Sequence, residues 1–187
     1  MSEKFAVIDT ETNWYNDVMS IGIVIAEEGI FEPIGKKYII IEENAEIGGM
    51  FSDALLIKVQ KPGIYIRTEA VEKLIKYLKL NEVVSIFAYN ALFDYRCLPE
   101  LSEFEWHDIL SMAAYKQYNR EMPSNAQCHG TGRLKSGYKV GDIMKMFGEK
   151  SYCELHNALT DAFDELRIMK YLSHSIHMYP KLGRKNC

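Results

Sequence analysis

Several features are scarce in this chain. Its 187 residues hold four cysteines, Cys97, Cys128, Cys153 and Cys187, none in a Cys-x-x-Cys spacing. Such spacing excludes a regular disulfide framework, and free thiols in a reducing compartment account for it best. A zinc site built from Cys128, His129 and Cys153 matches no common ligand spacing either. No apolar run is long enough to cross a bilayer, and no apolar segment follows a basic start. The expected location is therefore the cytoplasm, with no membrane partner. Basic residues are not in excess: 22 Lys and Arg face 26 Asp and Glu, a net charge of −4. That balance argues against broad, tight duplex binding driven by counterion release. There is no internal repeat, no low-complexity tract and no linker.

What is present is an ordinary globular composition, 48% hydrophobic and 26% charged. Length and composition suit one domain over residues 1–187, with a core from about 4 to 173 and a basic, frayed tail from about 179 to 187. The order of elements runs from strands to alternating strands and helices, then to helices. Strands are expected at Phe5–Ile8, Val18–Ala26, Lys37–Ile41, Val83–Tyr89 and Glu105–His107. Residues 42–67 read as mostly loop, with a helical turn around Leu55–Val59. Helices should follow Thr68, Asn90 and Asp108 as caps, and another should carry Val140, Ile143, Met144 and Phe147 up to Gly148. The last runs from about Asn157 to Ser173, burying Leu159, Phe163, Leu166 and Met169. Residues 119–138 read as a mobile loop. This order points to an α/β fold with a mixed sheet covered by helices.

Three stretches carry chemistry. In Asp9-Thr10-Glu11-Thr12 an apolar strand changes abruptly to acids and hydroxyls. Residues two apart on a strand share a face, so Asp9 and Glu11 project together. Adjacent carboxylates repel unless a cation sits between them, and a hard divalent ion takes oxygen ligands. The second stretch, Asn90-Ala91-Leu92-Phe93-Asp94, places an acid one turn into a short helix after a strand end. The third is His156-Asn157-Ala158-Leu159-Thr160-Asp161-Ala162. On one continuous helix residues five apart diverge by about 140°. His156 and Asp161 can share a site only if His156 precedes the helix and Asn157 caps it.

Together these segments resemble the three exonuclease motifs of the DEDDh 3′→5′ exonucleases, a family that includes the proofreading subunit of bacterial DNA polymerase III, RNase T and oligoribonuclease. The resemblance spans residues 5 to about 172. It implies a ribonuclease H-like fold, α/β, with a five-stranded mixed sheet in the order 3-2-1-4-5, strand 2 antiparallel, flanked by helices. It also implies a metal-dependent 3′→5′ exonuclease that releases nucleoside 5′-monophosphates from the 3′ ends of single-stranded DNA or RNA. The cofactors would be two divalent ions, Mg²⁺ with Mn²⁺ as substitute, held by Asp9, Glu11, Asp94 and Asp161. His156 would be the general base; an imidazole's ordinary pKa of about 6.5 suits that task. Thr10, Thr12, Trp14, Tyr15, Asn90 and Phe93 are candidate substrate contacts, the aromatic ones by stacking on bases. Arg133, Lys135 and Lys139 are candidate phosphate contacts. The resemblance also admits a homodimer or a polymerase or repair partner. Alternatives are a non-catalytic nucleic-acid-binding or polymerase-associated module on the same fold, and a ribonuclease H-like endonuclease. The chain departs from proofreading-type members at Asn13-Trp14-Tyr15 and around Cys128-His129-Gly130.

Overall fold

The computed structural model describes residues 2–57 and 60–182. The first strand, β1 (Lys4–Thr12), pairs antiparallel with β2 (Val18–Glu27), and β2 pairs antiparallel with β3 (Pro33–Ile41). Two parallel strands extend β1's other side, β5 (Ser85–Ala88) and β6 (Glu105–Asp108). The five expected strands therefore stand in the expected order. A sixth, β4 (Gly63–Tyr65), pairs parallel with β3, so the sheet runs β4-β3-β2-β1-β5-β6. The sequence reading missed β4 because it is three residues long and follows Pro62, a loop signal.

The sheet is buried on both faces. Along β1 the side chains alternate: Phe5 and Val7 join one core, Ala6 and Ile8 the other. Helix α6 (Ala158–Leu172) covers the first face together with α4 (Leu110–Ala113) and α5 (Val140–Met146). Helix α2 (Arg67–Leu80) covers the second, burying Ala70, Val71, Leu74 and Leu78. The short α3 (Leu92–Cys97) sits beyond the ends of β1 and β5.

Several helix starts differ from the expected ones. The stretch read as loop holds α1 (Glu42–Ile47), and a 3-10 turn occupies Ser52–Ala54. The expected turn at Leu55–Val59 and the basic tail extend into residues outside the described ones. Thr68 is not a cap; α2 begins at Arg67, whose N–H goes to Glu43. Asn90 is not a cap either. It takes a left-handed φ of 62°, and α3 begins two residues later. Asp108 is not the cap residue, which is Ile109, but from one position earlier its carboxylate accepts from Leu110 N and Ser111 Oγ. Phe163 is only half-buried, under Lys36 Nζ, while polar residues of α6 take buried places instead. Residues 119–138 form no helix, but the isolated bridges Cys128–Leu134 and Tyr115–Arg133 tie the segment back on itself. Among the described residues no helix is long and apolar enough to cross a membrane.

One close approach sets the distance between α6 and the sheet. Gly22 stands opposite Asp9 in the β1–β2 register. A Cβ built on Gly22 would lie 2.1 Å from the Ala158 carbonyl carbon, inside the helix backbone. The small Ala158 and Ala162, both fully buried, continue this contact. Gly22→Ala therefore forces α6 off the sheet. Overpacking of this kind costs about 3 kcal/mol, which lowers the melting temperature of a chain this size by roughly 6–12 °C. Thermal unfolding followed by circular dichroism checks this; an unchanged Tm would contradict it.

Candidate active site

The alternation along β1 decides where its polar end points. Asp9 and Glu11 continue the face of Phe5 and Val7, toward α6. Thr10 continues the opposite face, toward α3. Each helix supplies one more acid. Asp161 lies in the first turn of α6 and is 4% exposed. Asp94 lies in the first turn of α3, 2% exposed, and accepts a hydrogen bond of 2.8 Å from Thr10 Oγ1. The four acids line one cleft of about 420 Å³.

The turn into α6 places the imidazole. Asn157 is the cap residue, its side chain accepting from Thr160 N at 3.3 Å. His156 precedes it with a left-handed φ of 53°, a strained conformation for a non-glycine residue. Asp161 falls one turn inside. The arrangement His156 and Asp161 require is thereby met, and atoms of Glu11, His156 and Asp161 able to ligate a metal lie within 4.8 Å of one another.

Crowding has an electrostatic consequence. Burial raises the Asp9 carboxyl well above the usual carboxylate range, and Glu165, Asp94, Asp161 and Glu11 push it further. Burial, then Glu154 and Asp94, raise Glu11 to about 8. Burial, then Glu154, Glu11 and Asp164, raise Asp161 to about 8, and burial lifts Asp94 to about 7. Asp9 Oδ2 and Asp161 Oδ1 are buried and take no hydrogen bond from the described residues. A buried carboxylate oxygen without a donor is costly. No Lys or Arg is among the residues that line the cleft. Converging carboxylate oxygens, lacking donors and lacking a protein cation, fit divalent metal ions.

The sequence-predicted contacts divide. Thr10, Thr12, Trp14, Asn90 and Phe93 line the cleft. Trp14 is 65% exposed and Phe93 42%, so neither is a core residue. Tyr15 does not line the cleft; its N–H goes to Asn13 Oδ1 and its ring faces solvent. Arg133, Lys135 and Lys139 do not line it either, and Arg133 lies over the Tyr138 ring. Among the described residues the candidate metal-ligating groups do not include Cys128, His129 or Cys153.

Sequence reasoning missed three residues. Glu165 is 2% exposed and accepts a 3.0 Å hydrogen bond from Tyr89 N at the end of β5. It stands four after Asp161, hence on the same helix face; that spacing was the available signal. Glu154 lines the cleft two residues before His156. Phe51 stacks on the His156 ring, with centroids 3.9 Å apart. No sequence signal foretold that contact.

No family model and no curated protein matches this sequence. Solved structures do match. The nuclease domain of 3′hExo, described as a DEDDh family member bound to rAMP, superposes with a TM-score of 0.69 at 14% identity, covering 97% of each chain. The fold is that of a DEDDh 3′-exonuclease domain. Escherichia coli Exonuclease I in complex with a dT13 oligonucleotide matches with a TM-score of 0.58 at 14% identity, over 92% of this chain and 40% of that one. A zinc-bound form of the same enzyme with single-stranded DNA matches at 0.59 and 13%, over 92% and 40%. These likenesses carry the ribonuclease H-like architecture.

The raised carboxyls make stability depend on pH. Each acid binds its proton more tightly in the folded, metal-free protein than in the unfolded chain, so stability falls as pH rises. The contribution is complete below about pH 4, the unfolded carboxylate range, and is lost as pH passes the folded values of about 7 and about 8. Metal-free protein in EDTA should melt higher near pH 5 than near pH 8. Mn²⁺ added at the higher pH should raise the Tm, and Asp9→Asn should narrow the gap. Differential scanning fluorimetry checks all three; a melting temperature that climbs with pH in EDTA would contradict the reading.

Proposed function

We propose that this chain is a metal-dependent 3′→5′ exonuclease that hydrolyses single-stranded DNA or RNA from the 3′ end and releases nucleoside 5′-monophosphates. One observation carries the reading. Three buried acids, the half-buried Asp9 and an imidazole, from three separate segments, meet in one cleft that has no Lys or Arg lining it. An anionic substrate could not settle among those carboxylates unless cations were held there too.

Asp9, Glu11, Asp94 and Asp161 would hold two divalent ions, Mg²⁺ or Mn²⁺ by the all-oxygen donor set. When bound, such a pair offsets charge on the phosphate and favours ionisation of water. The remaining work falls to the chain. Thr10 holds Asp94 by its hydroxyl, fixing one carboxylate oxygen. His156 takes the proton from the attacking water. The water oxygen bonds to phosphorus, and the 3′ oxygen of the upstream nucleotide leaves. Trp14 and Phe93, exposed on the rim of the cleft, offer ring faces to the terminal bases, a contact blind to base identity and worth about 1–3 kcal/mol per base. The cleft volume of about 420 Å³ falls within the range of small-ligand sites, about 300–1,000 Å³.

Purified protein with Mg²⁺ or Mn²⁺ should shorten a 5′-labelled single strand one nucleotide at a time and leave a circular single strand intact. Asp9→Ala should abolish this. His156→Ala should lower kcat by about 10²-fold or more, the usual worth of a general base, while Mn²⁺ binding by calorimetry changes little. Cleavage of the circle would point to an endonuclease. Protein that binds single strands without shortening them would point to a binding module.

A further inference from the structure

The imidazole of His156 is held by an unusual partner. Among the described residues no hydrogen bond reaches either ring nitrogen, so no carboxylate or carbonyl orients the ring. Its neighbour is Phe51, whose ring lies face to face with it at 3.9 Å and an interplanar angle of 15°. A face contact leaves both nitrogens free at the ring's edge. Nitrogen of this ring lies within 4.8 Å of oxygens of Glu11 and Asp161.

The two residues are carried on segments locked together. Phe51 immediately precedes the turn at Ser52–Ala54. Asn157, next to His156, donates from Nδ2 to the Ala54 carbonyl at 2.8 Å and to Tyr38 Oη at 3.0 Å. Tyr38 Oη in turn donates to the Leu55 carbonyl at 2.9 Å. All three bonds are buried. The other end of the segment rests on β1. Trp14 N donates to the Gly48 carbonyl, and a Cβ at Gly49 would come within 2.6 Å of the Thr12 carbonyl oxygen. Phe51 is thus fixed relative both to the strand that carries Asp9 and Glu11 and to the turn that carries His156.

We infer that Phe51 is a positioning residue for His156: its ring sets the plane of the imidazole so that the nitrogen-bearing edge faces the acids. The inference rests on the exonuclease reading above. Simple packing by Phe51, or stacking of Phe51 on a substrate base, makes different predictions.

The test uses the full chain with Mn²⁺ and a 5′-labelled single strand. Phe51→Ala should lower kcat about tenfold with KM within about twofold, the pattern of an effect confined to the chemical step. Phe51→Tyr, which keeps a ring face, should restore most of the rate. In a His156→Ala background, Phe51→Ala should cost nothing further, because the group it positions is gone. A loss of the same size in both backgrounds, or an effect mainly on KM, overturns the inference. A second readout needs no activity. The carbon-bound ring protons of His156, assigned by their absence in His156→Ala among the five histidines, should resonate upfield under the Phe51 ring current. They should move downfield in Phe51→Leu. Unmoved resonances refute the contact even where the rate falls. An active wild type with an insensitive resonance defeats this inference alone. An inactive wild type defeats the exonuclease reading and the positioning role with it, whatever the spectrum shows.

Discussion

Like charges gathered where water is scarce are the constraint around which this fold is arranged. Asp9, Glu11, Asp94, Asp161 and Glu165 are each largely buried, and Glu11, Asp94, Asp161 and Glu165 all raise the cost of ionising Asp9. Repulsion among them has to be resisted by something rigid. The resistance comes from the apolar residues directly behind them. Phe5 to Ile8 are fully buried, and Ile21, Ile23, Val24 and Ile25 fill the neighbouring strand on both faces. A strand packed on two sides cannot roll its acids apart, and Gly22 lets α6 rest directly on the sheet beside them. The interior of each layer is thus the mechanical support of a site that is electrostatically unfavourable by itself.

Much of this was legible in the sequence, for identifiable reasons. The period-two rule placed Asp9 and Glu11 on one side of β1, and the apolar run before them marked a strand buried on both faces. The helix repeat forced His156 out of α6 and predicted Asn157 as cap, both of which the backbone shows. What escaped lies where local spelling is weak. The three-residue β4 has no periodicity to detect. Asn90 was read as a cap from its residue type, but its side chain does not cap α3 and its backbone turns left-handed. Glu165 belongs to none of the three motif stretches, and only its spacing of four from Asp161 pointed to it. Phe51 and His156 are about a hundred residues apart, so only tertiary structure could show them stacked.

On the proposed reading, the cleft separates two tasks that nucleic-acid binders often combine. Recognition through Lys and Arg is missing from its lining, while exposed rings stand at its edge. On the exonuclease reading proposed above, attraction to phosphate would be left to whatever cations the acids gather, and grip on the bases to aromatic faces. Such a site would, on the same reading, resist a charged strand without metal and attract it with metal, which would couple cation loading to substrate entry through charge. The acidic balance of the whole chain is compatible with such a site.

Asn157 uses its amide at both ends. The oxygen takes the free N–H of Thr160 in the first turn of α6, and the nitrogen reaches the Ala54 carbonyl and the Tyr38 hydroxyl. Many small polar residues serve equally at a helix start, but a carboxamide accepts there through one atom and donates across the gap through another, which a carboxylate cannot do. An aspartate at this position would keep the helix end and turn a donor into an acceptor facing a carbonyl. The choice of asparagine over its isostere is therefore dictated by the junction between two segments, and residue 157 belongs as much to the turn at Ser52–Ala54 as to its own helix.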